Sequence, residues 1–171
     1  VVTYVLGTMQ RNAPTTPLQR RNAGRMIARL QHALDDFQHP ADSHELTWDL
    51  MNVASLLPRV EEIAGGADRA NLVAAIEGMA RDVMSTAGRL GRRVVHNDLN
   101  SDNIVVDPED TDKVVGIIDF GDMVRTARVF DIAVGAAYQM LPDEDPYAAA
   151  WDFVGGVHEV FPLDEAELCA L

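Results

Sequence analysis

Asp98, Asn103 and Asp119 are the residues of this 171-residue chain whose types and spacing could do chemistry. Two carboxylates and an amide offer oxygen donors, which suit a hard cation such as Mg2+. That ion usually takes one or two carboxylates and leaves its other positions to water and phosphate oxygens. A carboxylate left off the metal could orient a hydroxyl and accept its proton. His96 lies two residues before Asp98, and Asp122 three residues after Asp119.

These side chains work together only if the chain folds them to one place. Two β-branched runs, Ile104–Val106 and Val114–Ile118, flank a turn of Asp107, Pro108, Glu109 and Asp110. That pattern predicts a β-hairpin with a loop longer than two residues. The first strand leaves from Asn103 and the second returns to Asp119. In an antiparallel pair the start of one strand lies beside the end of the other, so the hairpin brings Asn103 and Asp119 to the same end of a short sheet. The loop His96–Asn103 delivers Asp98 there too. Asp102, Asp107, Asp110 and Asp112 are read as turn and cap formers.

The motif His96-x-Asp98-x-x-x-x-Asn103, followed by Ile118-Asp119-Phe120-Gly121-Asp122, resembles the catalytic and metal loops of the aminoglycoside phosphotransferase and choline kinase superfamily. These are small-molecule kinases with a protein-kinase-like fold. The resemblance is nearest to the hydroxylysine-kinase-like or homoserine kinase type II-like branch. It implies that Asp98 is the catalytic base and that Asn103 and Asp119 hold Mg2+. It also implies that His96 braces the loop; Asp122 is read as a supporting hydrogen-bond acceptor, with contact to metal or water as the alternative. In Phe130-Asp131-Ile132-Ala133, Asp131 matches the aspartate that ties the following helix to the catalytic loop. Val5, Leu6 and Gly7 would lie near the hinge where the base of the donor nucleotide, ATP or GTP, docks. The acceptor would be a hydroxyl on an amino-alcohol, a hydroxy amino acid or an aminoglycoside-like molecule. Asp143, Asp145 and Glu159 are candidate binders of its amine.

Kinases of this fold also need a small lobe that covers the phosphates and supplies a strand lysine. Neither a Gly-x-Gly-x-x-Gly loop nor a P-loop occurs here, and Lys113 is the only lysine. The expectation is therefore that residues 1–171 are the larger, C-terminal lobe, with the nucleotide-covering lobe outside this chain, and that the chain alone is inactive. Two alternatives stay open. The lobe could be a non-catalytic binding or regulatory module of a larger protein. A metal-dependent hydrolase could use the same carboxylates, but it would need further ligands.

The elements that must position the site follow from periodicity. Residues 1–6 favour a strand that Gly7 ends. Thr16-Pro17-Leu18-Gln19 resembles a capping box with proline at the first helical position, and the apolar spacing predicts a helix over 17–37. Its arginines fall on the remaining faces and are read as solvated. Further helices are predicted over 49–63, 68–90 and 130–141, with a helical stripe from Tyr147 to Phe161 and another start at Pro162. Residues 123–129 read as irregular. The fold class is α+β: a mostly helical lobe with a small catalytic hairpin.

Composition agrees with a globular domain, at 47% apolar and 24% charged residues. The net charge of -13 is uneven, with +5 on residues 1–34 and -18 on the rest. Acidic surfaces repel phosphate backbones, so nucleic acid is not an expected partner, whereas a cationic small molecule would be attracted. One cysteine, Cys169, permits no internal disulfide. No apolar run has the length of a membrane span and the start lacks a signal-peptide pattern, so the expected setting is soluble and cytoplasmic.

Overall fold

The computed structural model describes residues 4–60, 62, 65–86, 88–140 and 145–171. Its strands are β1 (Thr8–Met9), β2 (Arg92–Val95), β3 (Ile104–Val106), β4 (Val114–Ile117) and β5 (Val124–Ala127). Its helices are α1 (Pro17–Ala33), α2 (Leu57–Val60), α3 (Ala67–Thr86), α4 (Arg128–Ala137), α5 (Pro146–Val160) and α6 (Glu165–Leu168). The architecture is the α+β arrangement expected, helices around two small sheets.

The predicted hairpin forms. β3 pairs with β4 in register Ile104↔Ile117, and a bulge follows at Val105/Val106. β1 adds to the other edge of β3, giving the order β1-β3-β4. The leading strand is not where the sequence predicts it. Residues 1–3 lie outside the described residues, Tyr4 to Leu6 are not strand, and pairing begins only after Gly7. The cause is the close approach of the chain to the sheet. A Cβ on Gly7, at φ 157°, would lie 2.5 Å from the Val105 side chain and 2.6 Å from the Val106 carbonyl. Val5 instead lays its side chain over Gly116, where a Cβ would sit 2.8 Å from it.

Residues 123–129 are not irregular. β5 pairs antiparallel with β2 in a separate ribbon, from Arg92↔Ala127 to Val95↔Val124. The loop before β3 therefore carries the chain from ribbon to sheet, and the loop after β4 carries it back.

Helix boundaries depart from periodicity for local reasons. α1 starts as expected, with Thr16 Oγ1 accepting the Gln19 N–H at 3.0 Å and Pro17 at the first position. It ends at Ala33 rather than 37, because Asp35 and Asp36 oppose the negative end of the helix dipole. Between residues 50 and 60 the chain forms a 3-10 helix, Leu50–Leu56, and only then the short α2. Pro58 has no N–H to give the Ala54 carbonyl, which takes the Leu57 N–H instead. α3 stops at Thr86, whose Oγ1 donates back to the Asp82 carbonyl at 2.8 Å.

The main core lies between α1, α4, α5 and the hairpin. Ile27, Leu99, Ile104, Ile132, Phe153 and Val157 are all but fully buried there. α1 and α5 cross at contact distance because glycine removes the side chains between them. A Cβ on Gly24 would fall 2.0 Å from the Phe153 carbonyl oxygen, and one on Gly156 would fall 2.0 Å from that of Arg21. The arginines of α1 are not merely solvated, as the sequence suggests. Arg20 is buried and meets Asp152 at 3.2 Å, and Arg21 and Arg25 both reach Glu159 at 2.6 Å. A second core joins Val83 and Leu90 to Ala127, Val129 and Phe130.

Candidate active site

The loop from His96 to Asn103 is held from inside by Leu99, which is fully buried in the main core. Its polar residues then bond to one another and to the neighbouring loop on a fixed base. Asn103 is buried, and its Nδ2 donates to both the backbone carbonyl and the Oδ2 of Asp98, each at 2.8 Å. Asn100 Nδ2 donates to the other carboxylate oxygen, Oδ1, also at 2.8 Å. The half-buried Asp98 carboxylate thus has one amide on each oxygen and a defined plane.

His96, completely buried, joins this loop to the one that follows β4. Its Nε2 faces the Ile118 carbonyl at 2.9 Å and its Nδ1 faces the Asp98 N–H at 3.3 Å. A carbonyl can only accept and an amide N–H can only donate, so this geometry uses the tautomer with its proton on Nε2. Both imidazole nitrogens are occupied, and the ring edge stacks on Phe120 at 5.0 Å.

Asp119 follows Ile118 directly. The Ile118 N–H donates to the Asn103 carbonyl at 3.0 Å, so the backbone of Asn103 lies beside the start of the Asp119 loop. Asp119 adopts φ 63°, the left-handed region that costs most residues energy but that Asp and Asn tolerate. The 3-10 turn Phe120–Asp122 begins there, with Asp119 Oδ1 capping the Gly121 N–H at 3.4 Å. Asp122 is half-buried in that turn.

Asp131 is the anchor behind the loop. It is fully buried on α4; its Oδ1 accepts the Asn97 N–H at 2.8 Å and its Oδ2 accepts Gln31 Nε2 at 2.9 Å. Burial pushes its carboxyl above the ordinary carboxylate value, against the pull of those hydrogen bonds. Asn97 has φ 65°. Asp131 thereby holds the turn that leads from β2 into the Asp98 loop.

Whether this donor set suits Mg2+ can be judged from which oxygens are spoken for. The amide nitrogen of Asn103 is used twice on Asp98, which leaves its Oδ1 without a hydrogen-bond partner among the described residues. Asp119 is exposed and keeps Oδ2 free of protein donors there. A carboxylate and an amide oxygen are hard oxygen donors of the kind a Mg2+ ion that retains water and phosphate oxygens accepts. In donor type, the residues present suit the ion. Among the described residues no group of three or more His, Cys, Asp and Glu is built to hold a metal.

The other candidates from the sequence have different surroundings. Leu6 is strongly exposed, Gly7 presses on β3, and Val5 covers Gly116. Asp145 caps α5, with Oδ1 accepting the Tyr147 N–H at 3.0 Å. Glu159 is taken up by Arg21 and Arg25, and Asp143 lies outside the described residues. Sequence reasoning passed over Asn100 and Gln31, which touch the carboxylates of Asp98 and Asp131 directly. Asn100 stood inside the recognised loop, but its type said only that it could make a turn. Gln31 is a hundred residues from its partner and carried no signal.

No helix among the described residues is long and apolar enough to cross a membrane. Comparison with solved structures gives the fold. The aminoglycoside phosphotransferase APH(3'')-Id from Streptomyces rimosus, solved with ADP and streptomycin, aligns with a TM-score of 0.60 at 21% identity. That alignment covers 98% of this chain and 66% of the other. An aminoglycoside-3'-phosphotransferase of type VIII aligns with a TM-score of 0.61 at 20% identity, over 98% of this chain and 64% of that one. In sequence, hydroxylysine kinase of Mus musculus is 29% identical over 181 residues, covering 100% of this chain and 48% of the relative. Hydroxylysine kinase of Danio rerio is 28% identical over 173 residues, covering 98% and 49%. The chain thus spans about half the length of the relatives it matches. A model described as the phosphotransferase enzyme family, APH, matches residues 1–165, and the chain belongs to that family.

Proposed function

We propose that this chain is the larger lobe of a small-molecule kinase that moves the γ-phosphoryl group of ATP or GTP to a hydroxyl. The acceptor class is an amino-alcohol, a hydroxy amino acid or an aminoglycoside-like molecule. The observation that carries the reading is the shared use of Asn103. Its nitrogen fixes the Asp98 carboxylate while its free oxygen faces no protein donor, beside the backbone that leads into Asp119. Family membership and the hydroxylysine kinase relatives support the reaction class. A companion lobe that closes over the nucleotide belongs to this reading, because kinases of this fold cover the phosphates with one.

In this mechanism Asp98 aligns the acceptor hydroxyl and takes its proton as the oxygen attacks phosphorus. Asn103 and Asp119 would hold Mg2+, which when bound neutralises charge on the transferring phosphate. His96 keeps the two loops at a fixed separation, and Asp131 keeps the first loop from rotating about Asn97. The acidic body attracts a cationic acceptor over distances of about one Debye length, ~8 Å at physiological ionic strength.

The test uses the full-length polypeptide that contains this chain, with Mg-ATP or Mg-GTP and a panel of amino alcohols, hydroxy amino acids and aminoglycosides. Nucleoside diphosphate release should depend on the acceptor. Asp98→Asn should cut kcat by about 10^2 to 10^4 with nucleotide affinity retained, whereas Asp119→Asn should weaken Mg-dependent nucleotide binding itself. Undiminished turnover by Asp98→Asn would overturn the assignment.

A further inference from the structure

We propose that Arg11 is a positioning residue for the reaction: from a buttressed turn beside β1 it fixes, through Asp102 and Asn100, the orientation of the Asp98 carboxylate. The proposal rests on the reading of Asp98 as the base.

The turn is the 3-10 segment Gln10–Asn12, immediately after β1. Arg11 leaves it toward the far end of the catalytic loop. Its guanidinium grips Asp102 with two nitrogens, Nε to Oδ1 at 2.7 Å and Nη1 to Oδ2 at 3.1 Å. Its backbone N–H donates in parallel to the Ser101 carbonyl at 3.1 Å. A two-pronged contact of this kind fixes direction as well as distance. From Asp102 the connection continues by hydrogen bonds alone. The Asp102 N–H donates to Asn100 Oδ1 at 2.8 Å, and Asn100 Nδ2 donates to Asp98 Oδ1 at 2.8 Å.

A strut transmits position only if its other end is rigid. Gln10, adjacent to Arg11, is buried, and its Nε2 reaches Gln139 Oε1 at 2.9 Å and Gln19 Oε1 at 3.2 Å. Gln19 Nε2 in turn donates to the Thr111 carbonyl at 2.6 Å, and Gln139 Nε2 to that of Gly135 at 3.3 Å. The turn is thus tied to α1, to the tip of the hairpin and to the end of α4. The loop needs such support, because at Ser101 it borders a cavity of about 420 Å³ that is also lined by Gln10, Arg11 and Tyr138, and not packed side chains.

The same pair contributes little to stability. Arg11 and Asp102 are 57% and 42% exposed, and exposed ion pairs are worth little in folding. That separates a positioning role from a structural one. In the full-length polypeptide, Arg11→Met should leave Tm and the nucleotide KM unchanged while kcat falls about tenfold, since small misplacements of a reacting group are costly in rate. Arg11→Lys should recover part of the loss. The exchanged pair R11D/D102R should exceed R11D alone. Amide hydrogens of Ser101, Asp102 and Asn103 should exchange faster in Arg11→Met. Unchanged kcat and unchanged exchange in Arg11→Met, with Asp98→Asn inactive, would overturn the strut and leave the kinase reading standing. A joint fall of Tm and kcat that Arg11→Lys does not relieve would make Arg11 merely structural. Full activity in Asp98→Asn would remove the base itself, and the strut with it.

Discussion

Replacing Gly24 by alanine tests the packing that underlies the site. The new Cβ would lie 2.0 Å from the Phe153 carbonyl oxygen and 3.0 Å from the Val157 nitrogen, both backbone atoms of α5. Ordinary contact begins at 3.4 Å, so α1 and α5 must part by about 1.4 Å. No rotamer change relieves a clash with backbone. Overpacking costs about 1–3 kcal/mol, and this case belongs at or above the upper end. Against it stands the intrinsic preference of helices for alanine over glycine, about 1 kcal/mol. The net expectation is a loss of about 2 kcal/mol. Gly78 in α3 supplies the internal control. A Cβ there meets only the end of the Arg81 side chain, at 3.9 Å, so Gly78→Ala should stabilise by up to about 1 kcal/mol. Urea unfolding measures both. With m near 2 kcal/mol/M, the midpoint should drop by about 1 M for Gly24→Ala and rise by up to half as much for Gly78→Ala. Equal shifts of the same sign would refute the argument, because propensity alone would then govern both helices. The consequence reaches the site as well. Phe153 moves with α5, and the space beside Gly135 holds both its ring and the Cβ of Leu99, which pins the Asp98 loop.

Two further expectations concern buried charge. Asp131 holds its proton to higher pH in the fold than in the unfolded chain, so stability should fall as pH rises from the ordinary carboxylate range through the raised value. Asp131→Asn has no such proton to lose, and the slope of its urea midpoint against pH in that window should be flatter; an unchanged slope would exclude Asp131 as its source. Glu167 binds Arg128 through both oxygens, at 2.5 and 2.6 Å, with both residues almost fully buried, while Arg128 also lies 3.8 Å over the Phe161 ring. Glu167→Ala leaves that guanidinium without its partner anion and should cost about 3–5 kcal/mol by calorimetry or urea unfolding; a loss below 1 kcal/mol would mean that the Phe161 ring and nearby carbonyls suffice for Arg128.

The hairpin was legible because Val and Ile runs bracket an Asp-Pro turn, a purely local signal. The candidate site was legible because its residues sit at fixed offsets from that hairpin. The ribbon of β2 and β5 was not. Its strands have four residues each, carry Arg92, Arg93 and Arg125, and pair across 29 to 35 residues, so nothing local marks Val124–Ala127 as extended. The ion pairs of the α1 arginines are hidden for the same reason: helical spacing says which residues face outward, but not that α5 brings Asp152 and Glu159 against them. The leading strand lies at Thr8–Met9 rather than before Gly7, and the crowding that excludes a side chain at position 7 belongs to β3, out of reach of local sequence. The network around Gln10 was invisible, since three uncharged amides on three separate elements leave no pattern in a sequence.

The two loops of the candidate site span one seam. The chain leaves the β2–β5 ribbon through the Asp98 loop to reach the three-stranded sheet, then returns to the ribbon through the Asp119 loop. They are laid out like the paired arms of a parallelogram linkage. If ribbon and sheet rock against each other, both arms swing together, and His96, bridging them near one pivot, keeps their spacing. Rocking of this kind would turn the Asp98 and Asp119 loops as a pair and leave the span between them set by the His96 bridge.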